Sequence, residues 1–400
     1  MRKFIYIIFA AALFATSCEQ EQPIVNNGQW PIHYGYMQFS TEVSSRAQLV
    51  TDMKDKSFGV LGYKYSATTN WATAKPVTAP NTFYNLEVES VKNKENGSYN
   101  YNYDAYSDPN DERSLKEWEE GNYSFFAYHP YNANGISLSS ESTTNTPTLT
   151  YTYAWLNPTN QDSWYKTGFN TNAIVDKKIV SISVDVVKLY DPTVPVFDVM
   201  TAEAIDVNGT GSGTVGLNFK HRMFALEVLA NNYNETTAGK DAAAYMSSVV
   251  LTLNGLQHRT MTIPMSMQGD EDAPDYGGNA PGSRSFLITN PEDGHIRIPA
   301  FNERTDDGRG EGVPTSISLL GSTNGGYLML IPQTAGLSGS LHWAELVNFP
   351  GNVSTDFTSN IEFKAGRLYQ LYINFVGSGI TIALIEAGAW DIHDVEHKFE

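Results

Sequence analysis

Cysteine is almost absent from this chain, because Cys18 is the only one among 400 residues. A single thiol cannot close an internal disulfide, and cysteine-based zinc sites need several ligands held together. Hydrophobic residues make up 41% of the chain and aromatic residues 12%, which is typical of a globular protein and not of a disordered one. The fold must therefore be held by buried side chains without disulfides.

Basic residues are also scarce, with 26 Lys and Arg against 44 Asp and Glu, so the formal net charge is -18. Nucleic acids and anionic membrane surfaces repel a chain of this charge. We therefore expect no nucleic-acid partner. The excess of acidic residues is interpreted as a feature that keeps the protein soluble.

Long apolar runs are missing, and the run from Phe4 to Phe14 is too short to span a bilayer as a stable helix. It follows Arg2 and Lys3, which is the pattern of a signal peptide over residues 1–17. The small residues before Cys18 resemble a bacterial lipobox, so the Cys18 thiol is predicted to carry a diacylglyceryl lipid with fatty acids such as palmitate. The alternative is an ordinary secretory signal with a chance cysteine.

Helical periodicity is scarce, and only Ser114–Glu120 and Thr237–Met246 are predicted to form a helical turn or two. Short β-branched and aromatic segments bounded by Gly, Pro, Asn, Asp or Ser recur instead and predict strands. These segments predict an all-β fold of antiparallel β-sandwich domains with few short helices. The clearest of them are Ser57–Tyr65, Tyr123–Tyr128, Ile179–Val187, Val249–Leu253 and Tyr327–Ile331.

The length of the chain predicts two tandem domains, each large enough for its own core. A stretch rich in Gly, Ser and Thr within Val199–Val215 is interpreted as the linker, which places the domains at residues 47–205 and 206–400. Two acidic, glycine-rich segments, 268–284 and 302–313, are predicted to be surface loops of the second domain, and the sequence assigns them no function.

Catalytic motifs are missing or incomplete. Gly336–Ser340 lacks the second glycine of a nucleophile elbow, and the glycine-rich Gly209–Gly216 lacks the lysine of a P-loop. His221 is interpreted as a structural histidine on a strand. Adjacent carboxylates such as Glu119 and Glu120 give no support to a glycosidase, although sequence alone does not exclude one. The chain is therefore predicted not to be an enzyme.

Two weak metal patterns remain, and we predict neither a metal nor any other cofactor. His393 and His397 have a spacing that binds metal on a helix, but on a strand or a frayed tail they diverge. Asp270, Asp272 and Asp275 lack the spacing of an EF-hand, and a solvated acidic loop is the alternative interpretation.

The order of several sequence blocks along the whole chain resembles the fimbrillins of Bacteroidales, the subunits of major and minor fimbriae, or type V pili. No block is specific by itself, and the resemblance depends on their order and spacing. The blocks are the lipobox at Cys18, Ser45-Arg46-Ala47, Trp118 before Tyr123–Tyr128, Phe197–Ala202, Leu217–His221, Phe224–Val228, Leu330–Gln333, Phe363–Tyr369 and Trp390.

This resemblance implies two transthyretin-like β-sandwich domains and export as an outer-membrane lipoprotein that matures into a surface fimbria used in cell adhesion. It also implies that an arginine-specific protease cuts after Arg46, so that Ala47 becomes the new N terminus. The cut would remove residues 18–46, including a first strand at about residues 32–43. Loss of that strand leaves an unpaired sheet edge, which a strand from another subunit can fill by donor-strand exchange.

The C-terminal strands, at residues 367–375 and 380–385, are the candidate donors. The partners implied are other fimbrial subunits, the protease and the outer membrane. A stalk subunit is favoured, with a tip or accessory subunit next. The candidate donor side chains are Leu368, Tyr369, Leu371, Ile373, Phe375, Ile380, Ile382 and Leu384.

A surface lipoprotein that binds glycan or a host protein is the second hypothesis. Trp71, Trp155 and Trp164 lie in polar, loop-like stretches, where their rings would stack on sugars or pack at a sandwich edge. The sequence leaves both interpretations open.

Overall fold

The computed structural model describes most of the chain from Tyr36 to Gly388. The described residues are 36–43, 53–54, 56–74, 80–92, 99–103, 115–133, 136–139, 147–152, 165–175, 178–188, 198–211, 213–233, 243–247, 249–265, 274–287, 296–300, 316–320, 327–342, 345–347, 354–376 and 379–388. Cys18, Arg46, Ala47, the segment 302–313 and the His393 and His397 pair lie outside these ranges.

The described residues form strands almost throughout, so the all-β prediction is confirmed. They include one four-residue helix, α1 (Trp71–Ala74), and a 3₁₀ turn at Gly209–Gly211. Among the described residues, no helix has the length and apolar character needed to span a bilayer.

The first sheet has seven strands, and their spatial order differs from their order in the chain. Two of its strands begin at or after residue 200, and these two take part in three of the strand pairs of the sheet. Its strands, from one edge to the other, are β1 (Gln38–Val43), β11 (Thr214–His221), β10 (Met200–Asn208), β5 (Asn122–His129), β2 (Ser57–Tyr65), β3 (Phe83–Lys92) and β4 (Tyr99–Asn102).

The remaining strands form three further sheets. One contains β17 (Ile317–Leu320), β12 (Phe224–Asn232), β22 (Leu368–Val376) and β23 (Gly379–Gly388), with β18 (Leu328–Leu330) also paired to β12. A small one contains β16 (Ile296–Ile298), β13 (Ala244–Ser247) and β20 (Glu345–Val347). The largest contains β21 (Ser354–Thr358), β19 (Ser338–His342), β14 (Val250–Pro264), β15 (Asp275–Leu287), β9 (Lys178–Lys188) and β8 (Tyr165–Val175), with β7 (Thr148–Thr152) and β6 (Ile136–Ser139) beside β14.

Two hydrophobic cores lie on opposite faces of β5 and β2. Tyr123 and Phe125 belong to the first core with β1 and β11, whereas Phe126 and Tyr128 belong to the second core with β12 and β22. Successive side chains of a strand point to opposite faces. Residues 123–129 of β5 are therefore all buried, while β11 alternates strictly between buried and exposed.

The chain leaves the first sheet later than the sequence predicts. Residue 205 falls inside β10, and β11 pairs with both β10 and β1 in the same sheet. The glycine-rich stretch at residues 209–213 therefore joins two neighbouring strands of one sheet. We propose a division at about residue 222, between β11 and β12, in place of the one expected after residue 205.

Several local predictions were wrong. Residues 115–120 form irregular chain and not a helix. Ala244–Ser247 is a strand that overlaps the end of the second predicted helix, and Asp275–Leu287 is a strand that overlaps the expected loop 268–284. All five segments predicted most clearly as strands contain strands, which confirms those predictions. Three strand pairs are parallel, namely β1 with β11, β12 with β22, and β9 with β15.

Candidate functional site: the first strand and its aromatic groove

The first strand is seated at the edge of its sheet. β1 runs parallel to β11, and its register extends from Gln38 opposite Thr214 to Val43 opposite Phe219. Just before the strand, the Met37 N–H donates to the Lys116 carbonyl over 2.7 Å. Among the described strands, β1 therefore has one strand partner, β11, on one side.

The far edge of the same sheet approaches β1 from the other side. The Tyr103 hydroxyl donates to the Met37 carbonyl over 2.7 Å, and the Thr41 hydroxyl donates to the Tyr101 hydroxyl over 2.5 Å. These contacts are made through tyrosine and threonine side chains, whereas the described backbone pairing of β1 itself is with β11. The sheet thus curls around its first core, and β1 closes the gap between its two ends.

Phe39 packs from β1 into the first core. Its side chain is 5% exposed, while the neighbouring Gln38 and Ser40 face solvent. The Phe39 ring centroid lies 5.6 Å from that of Tyr103, and the other three rings around it are Phe58 at 6.5 Å, Phe83 at 5.9 Å and Phe125 at 5.7 Å. Edge-to-face pairs at such distances add to the energy of burial.

Removal of β1 would leave a groove lined by aromatic rings. Beneath Phe39, the Phe58 and Phe219 centroids are 5.2 Å apart, and those of Phe83 and Tyr103 are 5.3 Å apart. These rings pack against one another and against β1, so loss of the strand exposes them without removing their mutual contacts. An exposed apolar groove beside an unpaired sheet edge is a site for strand addition.

The candidate donor side chains of β22 lie inside the chain's own core. Leu368, Tyr369, Leu371, Ile373 and Phe375 are all buried, and β22 pairs with β12 on one side and with β23 on the other. β22 is therefore an interior strand of its sheet, packed and not projecting.

The candidate donor side chains of β23 are less deeply placed. Ile380, Ile382 and Leu384 are partly buried against the second core. β23 is the last strand of its sheet and pairs only with β22 among the described strands. It can therefore leave the sheet with less loss of contact than β22.

His221 belongs to a buried polar cluster where the chain leaves the first sheet. Its Nδ1 contacts Oδ2 of Asp198, and the next residue, Arg222, donates from Nε to the Thr201 hydroxyl over 2.6 Å. Burial lowers the pKa of Arg222 to about 10. Burial also lowers the pKa of His129, whose Nδ1 lies 2.7 Å from the Ser57 carbonyl. The cluster joins β5, β10 and β11, as expected of a structural histidine.

Trp71 packs inside the protein and does not present its ring to a ligand. Its side chain is 2% exposed, and its centroid lies 5.2 Å from Tyr63 and 5.0 Å from Phe126. The Trp71 backbone N–H donates to Asp206 Oδ1 over 2.7 Å, and the Tyr65 hydroxyl donates to the same oxygen. These bonds hold α1 against the sheet. The packing interpretation is correct for Trp71, while Trp155 and Trp164 lie outside the described residues.

Metal-ligating side chains do not converge in the part of the chain that the structure describes, where groups of three or more His, Cys, Asp or Glu are absent. Asp275 is exposed on β15, and Asp270 and Asp272 are outside the described ranges.

Sequence comparison finds neither a matching family model nor a matching curated protein. Solved structures of similar fold do exist. A fimbrial protein from Bacteroides vulgatus is 16% identical with a TM-score of 0.49, over 88% of this chain and 99% of that chain. The solved structures similar to this chain include fimbrial proteins and cell adhesion proteins.

Two further similar structures are also described as cell adhesion or fimbrial proteins. A candidate cell adhesion protein from Bacteroides ovatus is 15% identical with a TM-score of 0.48, over 90% of this chain and 99% of that chain. A fimbrial assembly protein from Parabacteroides distasonis is 8% identical with a TM-score of 0.33, over 87% and 95%. Identities and TM-scores this low do not by themselves assign a function to this chain.

Proposed function

We propose that this chain is a structural, non-enzymatic subunit of a cell-surface fimbria. It is exported as a lipoprotein and polymerises by donor-strand exchange after its first strand is removed. The observation that carries this proposal is the position of Phe39. Its ring packs among four aromatic rings of the first core, on an edge strand that has one partner among the described strands.

Two apolar side chains are buried in the described part of the first strand and its approach. They are Phe39 on β1 and Met37 just before it. At about 1.5 to 3 kcal/mol each, they contribute roughly 3 to 6 kcal/mol. A donated strand that buries about five apolar side chains would gain on the order of 10 kcal/mol before ordering costs. A donated strand of this kind would stabilise the opened groove once β1 has been cut free.

The proposed cut after Arg46 lies three residues beyond the end of β1 at Val43. It would separate the strand, and the lipid on Cys18, from a subunit that begins at Ala47. The lipid would hold the subunit at the outer membrane while β1 keeps the groove closed. Cleavage would then release the subunit and open its assembly site in a single step.

The donor in this scheme is a C-terminal strand of a neighbouring subunit. β23 lies at a sheet edge and supplies Ile380, Ile382 and Leu384, while β22 supplies the more apolar set but must first leave the interior of its sheet. A chain with both a removable first strand and a donor fits a stalk subunit best.

Electron microscopy of surface material from cells with and without the gene tests the proposal. We expect filaments from the parent cells, their loss on deletion, and their return when the intact gene is restored. Restoration with a Phe39→Asp gene provides the matched comparison, since this change places a charge in the aromatic core. Unchanged filaments in the deletion strain would contradict a stalk role.

A further inference from the structure

A second surface feature lies on β3 and β4, beside the aromatic groove, with which it shares Tyr103. It is a cavity of about 460 Å³ that opens to solvent. Its walls include three tyrosines, two asparagines and two glutamates. The residues that matter here are Tyr84, Asn85, Glu87, Glu89, Asn102 and Tyr131.

A β-bulge in β3 shapes the cavity. Val60 pairs with Leu86 and Gly62 pairs with Phe83, so β3 contains one residue more than β2 between these two pairs. Asn85 takes up the extra residue with a φ of 52°, a left-handed conformation that costs energy for residues other than glycine. The bulge leaves Tyr84 on the outer surface, 68% exposed. Bulges commonly turn a side chain toward a ligand.

A hydrogen-bond network holds the bulge in place. The Asn85 Oδ1 accepts from the Tyr128 hydroxyl over 2.8 Å, and its Nδ2 donates to Asn132 Oδ1 over 3.1 Å. The Tyr131 hydroxyl donates to the Asn85 carbonyl over 3.3 Å. Gly59 leaves room for this network, because a Cβ there would lie 2.3 Å from the Tyr128 ring and 2.8 Å from Asn85 Oδ1. Unusual backbone held by its surroundings is a feature of preformed binding sites.

The charge of the cavity indicates the kind of ligand. Glu87 and Glu89 are two apart on β3 and so share a face, and neither forms an ion pair with any residue in the described ranges. Among the described residues, the wall contains no Lys or Arg. Two carboxylates in a chain of net charge -18 repel anions, and the exposed face of Tyr84 attracts cations through its ring quadrupole.

We propose that this cavity binds a cationic side chain, an arginine guanidinium or a lysine ammonium, presented by a peptide segment of a partner protein. Glu87 and Glu89 supply the countercharge, and the Tyr84 ring supplies a face over which the cation lies. The site would give the proposed fimbrial subunit a contact for a basic partner that requires neither removal of β1 nor donation of a C-terminal strand.

Fluorescence anisotropy of a labelled peptide, acetyl-Gly-Arg-Gly-Arg-Gly-amide, with the purified full chain tests this assignment. The double change Glu87→Gln and Glu89→Gln should weaken binding about three- to tenfold, since exposed ion pairs contribute modestly. Tyr84→Ala should weaken it about two- to fivefold, whereas Tyr84→Phe should leave it unchanged because the ring face is retained. Higher salt should weaken binding by the parent protein.

The matched control is Glu362→Gln with Glu386→Gln, which removes the same charge from exposed glutamates of the other region of the chain. Binding by this variant should equal that of the parent. An equal loss in both double variants would overturn the proposal by showing attraction to net charge alone, and so would an absence of peptide binding. Binding of a neutral oligosaccharide that depends on Tyr84 but not on the glutamates would also overturn it. Thermal unfolding of each variant verifies that it is folded.

Discussion

Replacement of Phe39 by alanine is expected to lower the free energy of unfolding by about 3 to 5 kcal/mol, the usual cost of truncating a buried phenylalanine. The ring is 5% exposed and has four aromatic neighbours within 6.5 Å, so the change leaves a cavity that its neighbours cannot fill without moving. Urea unfolding of the parent and the variant measures the difference in the free energy of unfolding. The slope of that free energy against urea concentration should be the same for both proteins.

Gln38→Ala is the matched control, because Gln38 is on the same strand and faces solvent. Its effect should stay within about 0.5 kcal/mol, as for other surface substitutions. A Phe39→Ala effect as small as that of the control would mean that β1 does not stabilise the core, and the proposal that its removal opens an assembly site would lose its physical basis.

If β22 is the donor strand, locking it to β12 is expected to abolish assembly of the cleaved protein under oxidising conditions. Asn231 and Asn374 lie opposite each other on these strands, with Nδ2 and Oδ1 of the two side chains 3.1 Å apart. Cysteines at both positions, in a chain that also carries Cys18→Ser, should form a disulfide that prevents release of the donor. Size-exclusion chromatography after cleavage should show monomer when oxidised and polymer after reduction.

The control pair is Ser338→Cys with Thr358→Cys, which are opposite each other on β19 and β21, outside the candidate donor strands. This pair should permit assembly in both redox states. Polymer formation by the oxidised Asn231 and Asn374 variant would contradict donation by β22, because the strand would then still be fastened inside its own subunit.

Strands that pack on two sides were the part of the fold most predictable from the sequence. β2 and β5 are dense in aromatic and aliphatic residues because one face of each strand meets the first core and the other face meets the second. Their composition is therefore enough by itself to predict a strand. A strand with such a pattern needs no information about its neighbours to be recognised.

Segments controlled by distant contacts were mispredicted. Residues 115–120 have a helical composition, yet the Lys116 backbone pairs with Met37 and the buried Trp118 ring lies 5.0 Å from that of Tyr123. The contact between Met37 and Lys116 joins segments about eighty residues apart. The contact between Trp118 and Tyr123 depends on assembly of the first core. Local propensity yields to such packing.

Gly209 shows why the predicted linker is a tight connection. A Cβ at this position would lie 2.1 Å from the Glu119 carbonyl oxygen, and the Gly209 N–H donates to the Gly121 carbonyl over 2.8 Å. Glycine is required here by close approach of two backbone segments and not by flexibility. Composition alone does not separate these two uses of glycine.

The cavity on β3 was missed for a related reason. Tyr84 and Asn85 look like ordinary strand residues, and the bulge that sets them apart depends on hydrogen bonds to Tyr128 and Asn132. Nothing local marks it except an asparagine within a strand, a residue that tolerates positive φ better than most.

Mass-spectrometric sequencing of the subunit N terminus in filaments tests the central claim most directly. The purified chain would be treated with an arginine-specific protease and its filaments collected by sedimentation. The account predicts that the filament subunit begins at Ala47 and that peptides from residues 19–46 are absent. Filaments whose subunits retain residues 36–43 would contradict it, because β1 would then still occupy the groove that the donor strand must fill.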